Sequence, residues 1–497
     1  MSSRIFGSGI RRREDPRLIT GAATYTDDMT MPGMLQAVML RSPHAHARIT
    51  RIDTGRAKAA PGVVAVYTGA DVTLNPMPCA WLPPNSQLKI AKYPTVAVDK
   101  VRYVGDIVAV VVAETAAQGY DALELIAVEY EPLPAVLDPQ QACGAGAPQL
   151  HDDIPNNVAF QWTVAGGDVD AAFANAEVIV KERIHQQRLI PNAMEPRAAL
   201  AKWGGASGEL TLWNTTQNPH ILRYLTSVVT GIAEDKLRVI APEVGGGFGS
   251  KIAAYPGEFL AIFASRKLNR PVKWTETRSE NYQATTHGRD HVQEIELAAR
   301  KDGTILGLRA TSWSAMGAYL STAAPGIPTI LHGLMLSGVY NVPAIKEDVY
   351  GVYTTATPVE AYRGAGRPEA TFIIERMVDK LAIALGMDPV AVRQKNLIPK
   401  FDNGHAVATG LTYDSGDYPG TLQKLLDHVN YDALRKEQAA ARQAGRIMGI
   451  GVGTYVEICG LGPSQVAAAV GFQGGLWESA IVRVHPTGKV NVFIGAS

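Results

Sequence analysis

A multidomain α+β chain is the fold class the sequence predicts, on three observations. From Gly33 to Tyr130, short apolar runs of strand character alternate with short helical pieces. Farther on, longer strand patterns fold back at Lys301-Asp302-Gly303, where Asp-Gly supplies the positive φ of a hairpin turn. The length, 497 residues, suffices for roughly two to four domains with their own cores.

Residues 1–18 read as an N-terminal arm. It carries Arg11, Arg12 and Arg13 but turns acidic at Glu14 and Asp15, with no apolar stretch of an export signal. A cytoplasmic setting is expected. Residues 19–132 form the first α/β domain, with strands in MLQAVML, VVAVYTG and DIVAVVVAE and helical pieces in GRAKAA and TAAQGYDALEL. Its longest apolar run, Ile107 to Ala113, suits a buried strand and is far too short to span a bilayer. Residues 133–155 are expected to link domains, because the stretch EPLPAVLDPQQACGAGAPQLHDDI is dense in Pro, Gly and small polar residues.

The second unit, 156–416, is read as rich in antiparallel sheet. One helix is expected from Gly249 to about Leu268. Another starts at Pro368, placed at the first helical position; Ile374, Met377, Leu381 and Leu385 make its apolar stripe and Gly386 stops it. A third unit, 417–497, opens with the charged helix in DALRKEQAAARQAGR and ends in GKVNVFIGAS, a strand entering a loop that is not present. A truncated or split polypeptide is the expectation.

The chain carries 47 basic and 47 acidic side chains, so no global field points to nucleic acid or an anionic membrane. Cys79, Cys143 and Cys459 are scattered, without the spacing that holds zinc or an iron–sulfur cluster.

Chemistry concentrates in three stretches. VGGGFGSK, Val244 to Lys251, fails the Walker pattern because Ser250 precedes the lysine and Ile252 follows it. The dinucleotide pattern GxGxxG fails because Ser250 stands where its last glycine should be. A strand breaking into glycines leaves backbone amides to face an anion or oxo group, with Phe248 as a wall; a tight turn with Phe248 packed in the core is the alternative. EAYRGAGRPEA sets Arg363 and Arg367 around Gly364 and Gly366 before a helix, which favours an anion; alternatively the arginines cap the helix and pair with Glu369 or Glu375. In LWNTTQNPH, Gln217 follows an apolar strand with an amide that both donates and accepts, or is satisfied by backbone. His287 and His291 lie four apart, but Gly288 intervenes and a strand follows, so they make a poor zinc pair; His44 and His46 are no better. No Gly-x-Ser-x-Gly elbow or singled-out carboxylate pair supports hydrolysis.

The order TQNPH, VGGGFGSK, EAYRGAGRPEA, behind RREDPRLITGAATYTDD and LRSPHAHARI, resembles the molybdenum hydroxylase family over essentially the whole chain. Within it, the chain looks like the large molybdopterin-binding subunit of the xanthine dehydrogenase, aldehyde oxidase and aerobic carbon monoxide dehydrogenase group. The resemblance implies an α/β hammerhead-like domain followed by mixed α/β molybdenum cofactor-binding domains, the last incomplete. It implies that Gln217 stands beside the apical oxo ligand and that Gly246, Gly247, Phe248 and Gly249 cover metal and pterin. Ala361, Tyr362, Arg363 and Gly364 correspond to a second cofactor-contacting loop, and Ile252 and Ala365 to substrate-pocket positions. No protein residue is expected to ligate the metal, and the catalytic base, a glutamate in the family, is expected beyond Ser497.

The implied reaction is hydroxylation of an N-heteroaromatic carbon or oxidation of an aldehyde, with water as oxygen source. Molybdopterin is expected in its cytosine dinucleotide form, with 2Fe-2S and FAD centres on a small and a medium partner subunit and a dimer of heterotrimers. Three departures narrow the substrate. Ile252 replaces the glutamate, and Ala365 the phenylalanine, of purine-oxidising relatives, and EAYRGAGR lacks the cysteine that holds copper in carbon monoxide-oxidising ones. A non-catalytic binding or assembly subunit of the same fold, and a carbon monoxide dehydrogenase-like protein without that cysteine, are the alternatives. A nucleotide-phosphate enzyme is disfavoured by both failed phosphate patterns.

Overall fold

The computed structural model describes residues 7–494; the first six residues of the expected arm and the last three of the chain lie outside the described residues. Two large sheets organise what lies between. The first runs Leu237–Ile240, Leu210–Asn214, Ala198–Trp203, Val272–Thr275, Leu35–Arg41, Ile107–Ala113, Val63–Thr68. Its central join is parallel, with Leu35 opposite Val272 and Ala37 opposite Trp274. One sheet therefore takes strands from both sides of the Pro- and Gly-rich stretch.

That join forms because both faces of the sheet are covered. Ile107–Ala113 is buried at every position, as a continuous β-branched run predicts. Helix Ala116–Leu123 lies against it and Leu35–Arg41, opened by Thr115, whose side chain accepts from the Gln118 N–H. Helix Pro256–Leu268 packs across the same sheet, buried from Pro256 to Ser265. It begins at Pro256 rather than after Gly249, because residues 249–252 are spent in turns. The start is set by Pro256 and by Glu258, whose Oε2 accepts from Tyr255 N at 3.1 Å.

The second sheet runs Val158–Gly166, Ile345–Tyr353, Ile305–Gly317, Gly288–Ala299, Val178–Leu189. All its joins are antiparallel except that between Ile305–Gly317 and Ile345–Tyr353. The expected hairpin stands at 300–304, with Gly303 at φ 87° and Arg300 N donating to Thr304 O at 2.9 Å.

Helix Arg367–Leu385 packs on Val178–Leu189 and Gly288–Ala299. Ile374, Met377 and Leu381 are fully buried, and Leu385 is packed against the same cluster. Gly366 is the N-cap, so Pro368 takes the second helical position rather than the first, and Gly386 closes the helix at φ 63°.

The stretch expected to be a linker is ordered and packed. Asn157 accepts from Leu150 N and donates to Ala142 O, both at 2.9 Å, and Leu150 is fully buried. Prolines and glycines interrupt regular structure there without preventing burial, because side chains take the backbone polar groups. The third unit opens with helices Tyr418–Val429 and Tyr431–Gln443 and reaches the hairpin Ala480–Val484 and Val490–Ile494. No helix among the described residues is long and apolar enough to cross a membrane.

Candidate functional site

Strand Leu210–Asn214 ends one short turn before Gln217, and helix Pro219–Thr230 begins just after it. This placement holds Gln217 against VGGGFGSK. Its N–H donates to Lys251 O at 2.9 Å, while its side-chain Oε1 accepts from Gly249 N at 2.9 Å and Lys251 N at 3.3 Å. A Cβ on Gly247 would lie 2.3 Å from that same oxygen. The loop is thus moulded on Gln217, and two amides expected to face an anion are taken by the glutamine. With Oε1 accepting, the donor function of Gln217 is its amide nitrogen, which suits an acceptor such as an oxo group.

The floor of the loop is ionic. Glu195 Oε2 accepts from Gly245 N at 2.7 Å and from Lys251 Nζ at 2.8 Å. The Lys251 side chain is 1 % exposed, so it anchors the loop and presents no ammonium to a phosphate. Burial lowers its pKa, and Glu195 partly offsets the shift. Beneath, Tyr255 donates to Ser250 O at 2.6 Å, and the Arg197 guanidinium sits 3.6 Å from the Tyr255 ring centroid, itself paired with buried Glu276.

The second station interlocks with the first. Arg363 N donates to Phe248 O at 2.9 Å, and a Cβ on Gly249 would lie 2.1 Å from Ala361 O. Phe248 itself takes φ 54°, unusual for a bulky side chain, and stays 44 % exposed, so it is not packed in the core. Ala365 sits at φ 45° and Gly364 at φ 99°, in a turn closed by Ala365 N donating to Tyr362 O at 2.7 Å. Buried Glu360 accepts from Ala323 N at 2.8 Å and Ala361 N at 3.0 Å; burial raises its pKa, and those donors oppose the rise.

A cavity of about 810 Å³ opens where the stations meet, lined by Gln217, Ile252, Ala361 and Ala365 together with Trp81 and Arg367. Gln217, Ile252, Ala361 and Ala365, far apart in the chain, all line it. Gly246, Gly247, Phe248, Gly249, Tyr362, Arg363 and Gly364 do not line it. Arg367 does not pair with Glu369 or Glu375. It donates to Gly364 O at 3.0 Å and forms an ion pair with Glu457 at 3.0 Å.

His287 and His291 are both buried but serve different contacts. Burial and then Arg188 hold the His287 pKa at about 4, while His291 packs 5.7 Å from His332, ring to ring. Among the described residues no group of three His, Cys, Asp or Glu is placed to hold a metal ion. Sequence reading passed over Glu195, Arg289, His332 and Glu347. Only the Gly288-Arg289-Asp290 run offered a signal, as a break before a strand.

Three family profiles match most of the chain. The one described as "Aldehyde oxidase and xanthine dehydrogenase, a/b hammerhead domain" matches residues 20–134, and two described as "Molybdopterin cofactor-binding domain" match 150–397 and 424–497. The carbon monoxide dehydrogenase large chain of Hydrogenophaga pseudoflava is 40 % identical over 97 % of this chain and 62 % of its own. The nicotinate dehydrogenase large molybdopterin subunit of Eubacterium barkeri is 31 % identical over 79 % of this chain and 88 % of its own. Quinoline 2-oxidoreductase from Pseudomonas putida 86 superposes with a TM-score of 0.90 at 36 % identity, over 98 % of this chain and 62 % of that one. The chain thus spans less than two thirds of the first and third of these. The hammerhead and cofactor-binding domains expected from the motifs are matched in the expected order, and the chain belongs to the molybdenum hydroxylase family as a molybdopterin-binding large-subunit chain.

Proposed function

We propose that this chain is the molybdopterin-binding part of an oxidoreductase that hydroxylates an N-heteroaromatic carbon or oxidises an aldehyde, with water as oxygen source. The observation that carries this reading is the convergence of Gln217, Ile252, Ala361 and Ala365 on one cavity at the junction of the two glycine stations. These residues fit the cofactor. Glycines allow close backbone approach, Gln217 brings a donor, and Phe248 holds an exposed ring at the edge of the same loop.

When bound, a molybdenum–pterin group supplies the two-electron acceptor for substrate oxidation. The chain's own residues do the rest. Gln217 donates from its amide nitrogen, the 246–249 loop excludes water beneath Phe248, and the 361–364 turn holds that loop from the other side. Ile252 and Ala365 shape an apolar substrate wall. A cytosine dinucleotide form of the pterin, 2Fe-2S and FAD centres on a small and a medium partner subunit, and a dimer of heterotrimers belong to the same proposal. So does a cytoplasmic setting, which suits three cysteines that are all free thiols. In the same reading the chain divides into units at 19–132, 156–416 and 417–497.

Substrate choice follows from what the wall lacks. Ile252 offers no carboxylate to grip a purine edge, and Ala365 no ring to stack on one. Carbon monoxide oxidation has the similarity to carbon monoxide dehydrogenase large chains in its favour, but 360–367 contains no thiolate to hold a second metal. Oxidation assays on the assembled protein with an artificial electron acceptor decide between them. Turnover is expected with N-heterocycles or aldehydes; turnover confined to xanthine or carbon monoxide would overturn the substrate reading.

A further inference from the structure

The start of strand Gly288–Ala299 is unusual backbone. Arg289 and Asp290 are consecutive non-glycine residues in left-handed conformation, at φ 64° and φ 70°. Side chains other than glycine are strained in this conformation, and such positions persist where the surroundings over-determine them. Asp290 Oδ2 accepts from Arg188 Nε at 2.7 Å, and Arg188 Nη1 donates onward to Thr357 O at 2.6 Å. The anchored backbone turns Arg289 the other way, toward the second glycine station.

There its guanidinium spans two successive carbonyls. Nη1 donates to Tyr362 O and Nη2 to Arg363 O, both at 2.9 Å. Nη1 also reaches Glu369 Oε1 at 3.2 Å, on a carboxylate with no exposed surface, and the guanidinium carbon lies 4.8 Å from the Tyr362 ring centroid. A Cβ on Gly288 would lie 2.4 Å from Tyr362 Cβ, so strand and turn are in direct contact. Arg363, held by its carbonyl from one side, donates its N–H to Phe248 O on the other at 2.9 Å. Arg289 itself does not line the cavity.

We propose that Arg289 is a positioning residue: by fixing the Tyr362 and Arg363 carbonyls it sets the spacing between the two glycine stations, and with it the placement of Phe248. The catalytic consequence rests on the proposed function; the coupling between the stations does not. A lysine cannot substitute, because an ammonium is a point donor where a planar fork is required.

The test uses Arg289→Lys and Arg289→Ala in the assembled holoenzyme. For Arg289→Lys, kcat is expected to fall about 10–100-fold with KM changed less than about threefold, the range for groups acting one contact behind a site. Amide exchange should quicken in 246–251, which Arg289 does not touch, and stay unchanged in Ile107–Ala113. Millimolar guanidinium added to Arg289→Ala should restore exchange protection in 246–251 and part of kcat. Unchanged exchange in 246–251 would overturn the inference, as would a uniform rise that includes Ile107–Ala113. If wild-type protein carries no molybdenum and turns over nothing, the proposed function falls, and the exchange measurement alone decides the role of Arg289.

Discussion

Gln217 does two jobs that one substitution separates. Its oxygen holds the loop through Gly249 N and Lys251 N, and in the proposed function its nitrogen is the donor to the cofactor. Gln217→Glu keeps two acceptor sites and removes the donor; the protein should fold normally, with thermal midpoint within a few degrees of wild type, yet lose most turnover. Gln217→Ala should also destabilise, by about 1–3 kcal/mol for each amide left without a partner. Equal loss of stability in both variants would contradict the division.

His332 gives a pH dependence with a definite sign. Burial lowers its pKa, but the Glu347 carboxylate 2.9 Å away overcomes that, so the net shift is upward from 6.5. Glu369 adds in the same direction, whereas His291, held well below its ordinary value by burial and then by His332, stays neutral. A raised folded-state pKa contributes stability that is fully present below about pH 6.5 and lost as pH climbs through the folded value. The stability gap between wild type and Glu347→Gln, read from denaturant midpoints, should therefore narrow as pH rises above about 6.5. These residues were not legible in the sequence, since Glu347 lies on another strand and no spacing ties it to His332. Gln217, Ile252 and Ala365 were, because each sits at a fixed offset inside a motif.

At the scale of elements, the glycines of the two stations are not equivalent to those that merely end helices. Gly249 at φ 101° has Ala361 O where a Cβ would go, at 2.1 Å, whereas Gly386 at φ 63° faces open space. Gly249→Ala should loosen the docking of the stations and cost clearly more than the roughly 1 kcal/mol expected of Gly386→Ala. Calorimetry that ranks the two the other way round would show that the stations do not lock through this contact. Helix Arg367–Leu385 was legible to within one residue, because the Pro and Gly signals and the apolar stripe agree. Helix Pro256–Leu268 was not legible at its start. The turns that delay it exist to seat Ser250 O on Tyr255 and Lys251 on Glu195, contacts that no local pattern announces.

On the scale of the whole molecule, the seven-stranded sheet joins the hammerhead region to the first cofactor-binding region through Leu35–Arg41 and Val272–Thr275. Sequence reading separated these regions at a Pro- and Gly-rich stretch, because parallel pairing across more than two hundred residues leaves no trace in local composition. The sheet predicts one cooperative unit. Amides in Leu35–Arg41 and Val272–Thr275 should exchange with the same opening free energy, and Trp274→Ala, which empties a fully buried site, should lower both by about 3–5 kcal/mol. Independent exchange of the two strands would instead mark two separately folding bodies.

We propose that the interlocked stations at 244–252 and 360–367, closed on Gln217, form a molybdenum–pterin site. Metal analysis of the assembled protein, with pterin fluorescence after denaturation, tests it most directly. Molybdenum and pterin in equal amounts, both lost together in Gly249→Ala, is the predicted result; wild-type protein with neither, or with a bound nucleotide in their place, would contradict it.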